Sequence, residues 1–321
     1  MERPTFRDVL RAREIIRHYL SPPPLYHYAS LDQLLGCATY VKHENHQPIG
    51  AFKVRGGINL IASLSEAECH RGVITASTGN HGQSIAYAAR LFGVEARVVV
   101  PEGANPGKVE AIRNLGAEVI FRGHDFDDAR LYTEQQAETH GYRYIHSANE
   151  PLLIAGVGTY TLEILEAQPE IETIIVPVGG GSGASGSSIV AKAIDPQIEV
   201  IGVQSERAPA AYLAWNEGRP VEAEMETFAE GLATRFSFEL TQSILQDLLD
   251  DFILVSDEEL KHAIVLLLEN THNLAEGAGA AALAAALKLR DRLAGRKVAL
   301  ILSGGNLSLD RLREAVASGR K

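Results

Sequence analysis

Apolar residues recur along this chain in short, often β-branched runs, and most runs are followed by a stretch in which they return at helical spacing. The runs are Tyr40–His43, Gly72–Ala76, Ala96–Val100, Glu118–Phe121, Tyr142–His146, Thr173–Val178, Val200–Val203, Phe252–Val255 and Val298–Leu302. Runs of this kind predict strands. Gly82–Phe92, Lys108–Leu115 and Ser185–Ala193 are among the helical stretches between them. The alternation predicts an α/β fold, a parallel sheet joined by helical crossovers. TIIVPV and VALIL carry almost no polar side chains, so both faces of those strands should be covered, as in open doubly wound sheets. Ala278–Leu287 is too short and too rich in alanine to span a bilayer and reads as a buried helix.

In doubly wound sheets ligands gather at the carboxyl ends of strands. At those ends this chain turns polar and rich in glycine: STGNHG from Ser77, GGGSGASG from Gly179, and SGGN from Ser303. With 321 residues, 45% hydrophobic and 22% charged, the chain can hold one large domain or two medium ones around a sizeable core. No repeat or Pro/Ser-rich linker divides it. The composition shift at Asn149–Pro151 is the best mark of a boundary, and Pro209–Phe228, poor in strand signals, reads as a mobile or dimer-contacting excursion.

The net charge of −11, with no clustered Lys/Arg run, argues against nucleic acid and acidic membranes and favours a small-molecule ligand. The first twenty residues mix charged and apolar side chains, which excludes a secretory segment there and points to a cytoplasmic protein. Cys37 and Cys69 are too few for a disulfide framework and lack the spacing of a zinc site.

Three turns and one lysine carry chemistry. Gly179, Gly180, Gly181, Ser182 and Gly183 follow a buried strand and precede a helical stretch; such a loop turns backbone N–H groups inward and suits a phosphate. A dinucleotide loop would need an acid at the end of the next strand, where GVQSE places Gln204. Lys53 lies in GAFKVRGG beside Phe52. An ordinary lysine is a solvated charge, but one in apolar surroundings loses basicity and becomes a nucleophile towards a carbonyl cofactor. Ser77, Thr78, Gly79, Asn80 and His81 form a turn that either caps the following helix or cradles a carboxylate, and Ser303–Asn306 carries the same two readings.

In their order, PPPLYHYASLDQLLG, AFKVRGG, TASTGNHGQSIAYAAR, KVEAIRNLGAEVI, VPVGGGSGASG, AEGAGAAALAA and LSGGN resemble the fold type II pyridoxal-phosphate enzymes, in particular the threonine dehydratase (threonine ammonia-lyase) and serine racemase branch. The resemblance covers nearly the whole chain. It implies a fold like tryptophan synthase β, two open doubly wound domains with the cofactor, pyridoxal 5′-phosphate, in the cleft. The large domain would comprise 1–66 and 152–321, the small one 67–151, and the protein would be a homodimer acting on a small amino-acid substrate. By position, Lys53 would carry the cofactor as a Schiff base and remove the Cα proton. Phe52 would pack on the ring, Asn80 would bond the ring hydroxyl, Gly179–Gly183 would hold the phosphate, and Ser303 would face the pyridine nitrogen. Ser77, Thr78, Gly79, Asn80 and His81 would cradle the substrate carboxylate, with Ser77 and Thr78 also taking part in catalysis.

A neutral serine at the ring nitrogen makes a weaker electron sink than a carboxylate partner would, which favours β-elimination over transamination. The implied reaction is dehydration and deamination of a small β-hydroxy amino acid, L-threonine or L-serine first, to a 2-oxo acid and ammonia. Dehydration of 3-hydroxyaspartate or phenylserine, and serine racemisation, are the alternatives within the branch. Cysteine-synthase-like β-replacement is disfavoured because those enzymes carry a TSGNTG-like turn where this chain has STGNHG. A non-catalytic binding module would require Lys53 to be free of cofactor.

The chain departs from the family pattern in places. Ser182 replaces a fourth loop glycine, and Thr78 stands where the racemase has the serine that reprotonates the opposite face. Gln204 and Ala210 occupy positions where the racemase places metal-binding carboxylates, leaving Glu206 alone, so no metal site is expected. Glu276 reads equally as a first-turn helix charge and as a site group. Thr234 and Arg235 in GLATRFS are candidates for shaping the side-chain pocket. Beside the biosynthetic members of the branch, the resemblance implies a short, catabolic-type enzyme without a regulatory module after the last motif.

Overall fold

In the computed structural model, which describes residues 2–124 and 126–318, every apolar run of the sequence contributes a strand. The strands are β1 (Leu25–His27), β2 (Ala38–His43), β3 (Val73–Ala76), β4 (Ala96–Val100), β5 (Glu118–Phe121), β6 (Arg143–Tyr144), β7 (Thr173–Pro177), β8 (Glu199–Ser205), β9 (Asp251–Val255) and β10 (Lys297–Leu302). They form a six-stranded sheet ordered β1-β2-β10-β7-β8-β9 and a four-stranded sheet ordered β5-β4-β3-β6. All pairings are parallel except β1 with β2, where Leu25 faces Lys42. No apolar run announced β1; it follows Pro22-Pro23-Pro24 and sits at the sheet edge, where proline is tolerated.

Unbroken apolar strands arise because neighbouring side chains enter different cores. Ile174, Val200, Ala299 and Ile301 face one core, and Ile175, Ile201, Val298 and Leu300 face the other. With a period of two and both faces covered, few positions are left for a polar residue. The first face packs beneath the helices Phe6–Ile16, Pro151–Ala167 and Ser182–Ile194. The second packs beneath Asp257–Thr271 and the alanine-rich Gly277–Lys288, which is buried as expected.

The four-stranded sheet draws all its strands from residues 73–144 and lies between the helices Asn80–Phe92 and Phe126–His140. It joins the larger unit chiefly through helix Lys53–Ala62, which packs on both Asn80–Phe92 and Pro151–Ala167.

The Pro209–Phe228 stretch is more ordered than its lack of strand signals suggests. Its first part forms helix Ala210–Glu217, whose Tyr212 and Trp215, at helical spacing, meet Phe252 edge-on at 5.7 and 6.1 Å. Among the described residues no helix is long and apolar enough to cross a membrane.

Candidate active site

The polar ends of β3, β7 and β10 converge on Lys53. Gly305 N donates to Gly50 O at 2.9 Å, Phe52 N donates to Ser303 O at 3.0 Å, and Ala51 bridges Gly304, so residues 50–52 are laced to the end of β10. This lacing starts helix Lys53–Ala62 beside Ser303. Lys53 Nζ reaches the loop after β7, donating to Ser182 Oγ at 3.1 Å, and the Lys53 carbonyl accepts from Ser84 Oγ in helix Asn80–Phe92 at 2.6 Å. The Phe52 ring lies 5.2 Å from Nζ and is held edge-on by Tyr160 at 6.0 Å. Burial in the cleft wall lowers the Lys53 pKa from 10.5 to about 8. The amine is therefore far more available as a nucleophile near neutrality than a surface lysine.

The loop from Gly179 to Gly183 has a reason for each of two glycines. Gly181 adopts a φ of +90°, a left-handed conformation that side chains resist, and a Cβ on Gly179 would lie 2.1 Å from Gly231 O. Helix Ser182–Ile194 begins here, and among the described residues no acceptor takes the N–H groups of Gly179 to Ala184. Thr241 Oγ1 donates to Gly180 O at 2.8 Å and Tyr160 OH to Gly183 O at 3.0 Å, which hold the loop carbonyls so that its N–H groups stay free. Open donors at a helix start form an anion site.

After β3, Ser77 Oγ accepts from Gly79 N at 3.2 Å, a local turn bond, while the following helix has Gly79 at its N-cap and no side-chain capping bond. Thr78, Gly79 and Asn80 are partly exposed, whereas His81 is buried. Thr75 Oγ1 donates to Ile145 O at 2.8 Å, so at 3.0 Å it accepts from His81 Nε2. His81 Nδ1 is left unprotonated and without a partner among the described residues, and burial lowers the His81 pKa to about 3. The His81 side chain is thus committed to Thr75, and what it offers a ligand at the turn is its backbone N–H. Ser303 is buried, and its hydroxyl has no protein partner among the described residues.

Glu276 makes no capping bond to helix Gly277–Lys288; it accepts from Asn80 Nδ2 at 2.7 Å, and burial raises its pKa to about 7. It is therefore a group of the cleft and not a solvated first-turn charge. Thr234 Oγ1 lies 3.4 Å from Gln204 Nε2, and Arg235 is exposed. Gln204 Oε1 accepts from Tyr212 N at 3.0 Å, Ala210 is buried and Glu206 is exposed.

Several groups around the cleft carried no legible signal. Asn306 donates to Asn80 Oδ1 at 2.7 Å. His146 Nδ1 accepts from Ala148 N and Asn149 N, both at 3.0 Å, and its ring stands edge-on to Phe238 at 5.1 Å. Burial lowers its pKa to about 4. Asn306 closes a recognised turn, but nothing in the order of residues told which group it would meet.

The donor set suits a phosphorylated aldehyde: free N–H groups for the phosphate, a poorly basic amine for the carbonyl, an aromatic ring beside the amine, and a free hydroxyl on the opposite strand end. Residues 16–304 match the family described as pyridoxal-phosphate dependent enzyme. The chain is 40% identical to an L-threonine ammonia-lyase of Thermotoga maritima, over 99% of this chain and 80% of that protein. Among solved structures it is similar to the processed form of threonine deaminase isoform 2 from Solanum lycopersicum, with a TM-score of 0.93, 31% identity, and 98% of this chain and 92% of that chain covered. It is equally similar to maize serine racemase, with a TM-score of 0.93, 33% identity and 98% of each chain covered. The fold type II architecture, the convergence on Lys53 and these likenesses agree: the chain belongs to the pyridoxal-phosphate-dependent enzymes, in their threonine dehydratase and serine racemase branch.

Proposed function

We propose that this protein dehydrates and deaminates a small β-hydroxy amino acid, L-threonine or L-serine, to a 2-oxo acid and ammonia. The observation that carries this reading is the Lys53 amine at the meeting point of three strand ends, opposite the neutral Ser303 hydroxyl. The relatives support it: the Thermotoga maritima protein is named for threonine ammonia-lyase activity and the tomato protein for threonine deamination.

When bound, pyridoxal 5′-phosphate supplies an electron-withdrawing ring. In this reading the N–H groups of Gly179 to Gly183 hold its phosphate, Phe52 packs on its face and Asn80 bonds its hydroxyl. Lys53 would hold it through the amine, and the same amine, when free, is the base placed to take the proton from Cα. The turn Ser77, Thr78, Gly79, Asn80 and His81 would hold the substrate carboxylate through the Ser77 and Thr78 hydroxyls and the N–H groups of Asn80 and His81, fixing the Cα–H bond towards Lys53. Ser303 would offer the ring nitrogen a neutral partner, which makes the bound group a weaker electron sink and favours β-elimination. The water lost in elimination is regained in hydrolysis, so the amino acid is converted to 2-oxo acid plus ammonia with no external oxidant.

A screen of 2-oxo acid release from L-threonine, L-serine, 3-hydroxyaspartate and phenylserine, including their stereoisomers, tests the reading. Release from threonine or serine is expected. Cysteine formation from O-acetylserine and sulfide without 2-oxo acid would overturn it in favour of β-replacement. Chiral analysis of unconsumed serine reports whether Thr78 supports racemisation. We also read residues 67–151 as the small domain and the protein as a cytoplasmic homodimer; a light-scattering mass of one chain would exclude the dimer.

A further inference from the structure

Glu276 takes no part in the reaction as written, yet it ends a chain of polar contacts that crosses between the two sheets. Asn306 Nδ2 donates both to Ile49 O at 2.8 Å and to Asn80 Oδ1 at 2.7 Å. A backbone carbonyl can only accept, so Ile49 fixes which end of Asn306 carries nitrogen. Asn80 must then turn its oxygen to Asn306 and its nitrogen to Glu276, where the 2.7 Å bond forms. The second Asn80 N–H has no acceptor among the described residues, and Asn80 is partly exposed in the cleft. Glycine at 304 leaves room for the Glu276 carboxylate in this position: a Cβ there would lie 2.5 Å from Glu276 Oε1. Ile49, Glu276 and Asn306 belong to the six-stranded unit, whereas Asn80 opens the helix after β3 in the four-stranded one.

We propose that Glu276 is a positioning residue: it holds the Asn80 amide from across the cleft, so that docking of the two units aims the second Asn80 N–H at the ligand. The inference rests on the proposed site only for the identity of that ligand. The charged groups that bear on Glu276 are Lys108, from helix Pro106–Asn114, and Glu230, from the turn Glu230–Leu232; they pair with each other and act on Glu276 in opposite senses. Burial is the larger influence and raises the Glu276 pKa from 4.5 to about 7. A carboxyl with a raised folded-state pKa contributes stability below its unfolded pKa, and that contribution drains away as pH rises through the folded value. The window runs from pH 4.5 to about 7.

Thermal melts of the full chain across that window, with and without added pyridoxal 5′-phosphate, test the proposal on wild type, E276Q, E276A, N80A and the N80A/E276A double variant. Glutamine can still accept from Asn80 but cannot ionise. Across pH 4.5 to about 7 wild type is therefore expected to lose stability relative to E276Q, which retains coupling to Asn80. E276A is expected to weaken cofactor binding about tenfold, the worth of one hydrogen bond, and the double variant to melt no lower than the poorer single variant. Additive losses in the double variant, or parallel pH profiles for wild type and E276Q, would overturn the proposal. Coupling without cofactor uptake would instead uphold it and refute the proposed chemistry.

Discussion

A lysine that reacts as an amine near neutrality must first shed its proton, and Lys53 is placed to do so. With a pKa of about 8, on the order of one-tenth of it is neutral at pH 7, against far less than 1% for a free lysine. Capture of pyridoxal 5′-phosphate by cofactor-stripped protein, followed by absorbance, should therefore accelerate as pH rises and level off just above pH 8. Lys53→Ala should abolish capture and lower turnover by a factor of about 10³ or more; wild-type 2-oxo acid release from that variant would refute the assigned role. Ser303→Asp should slow 2-oxo acid release by on the order of tenfold or more, because a carboxylate strengthens the electron sink and relaxes the commitment to β-elimination. Stopped-flow comparison of elimination and transamination products would detect this. Lys53 and Ser303 were legible because each stands in a turn whose composition departs from its surroundings. Glu276 was not, because an acid before an alanine-rich helix looks the same whether it caps the helix or faces a cleft.

Among the elements, helix Lys53–Ala62 is held by ions it shares with its neighbours. Arg55, 1% exposed, makes two bonds of 2.8 Å to Glu44 and two of 2.7 Å to Glu163, and Lys42 Nζ reaches the same Glu163 at 2.6 Å. Two cations and two anions balance, and the helix that begins at Lys53 is clamped between the turn Glu44–His46 and helix Pro151–Ala167. Burial alone would lower the Arg55 pKa, but the two carboxylates outweigh it and keep the guanidinium charged. Arg55→Met would leave the buried Glu44 and the half-buried Glu163 short of a partner and should cost about 3–5 kcal/mol in urea unfolding. Gly181→Ala, which forces a side chain into a left-handed conformation against Thr241, should cost about 1–3 kcal/mol and weaken cofactor binding in a fluorescence titration. The central strands were legible because both of their faces are buried and the pattern is unbroken. The edge strand β1, the helix Ala210–Glu217 and the ion quartet were not, since each depends on partners distant in sequence.

In the whole molecule, two open sheets share a cleft, and neutral histidines lie buried or half-buried around them. Burial lowers His43 and His146 to about 4 and His81 to about 3, against 6.5 when unfolded. Groups with depressed folded-state values contribute stability above the unfolded pKa, and that contribution is lost as pH falls towards the folded one. The melting temperature should accordingly drop between pH 6.5 and about 4, opposite in sign to the Glu276 effect, and the difference between wild type and E276Q separates the two. An acid-side melting temperature that stayed flat would contradict the burial of these rings.

Taken alone, the order of residues determined the α/β alternation, the double burial of the central strands, the phosphate-suited loop and the lysine proposed as the nucleophile. Each of these is written in neighbouring residues, through periodicity, glycine placement or local composition. Which turns meet was decided by the tertiary structure alone. Asn80 finds Glu276 across 196 residues and Asn306 across 226, and Lys53 finds Ser182 across 129. Spacing along the chain carries no record of such contacts; they exist because the parallel crossovers bring several strand ends to one cleft, where only a folded backbone sets which donor faces which acceptor.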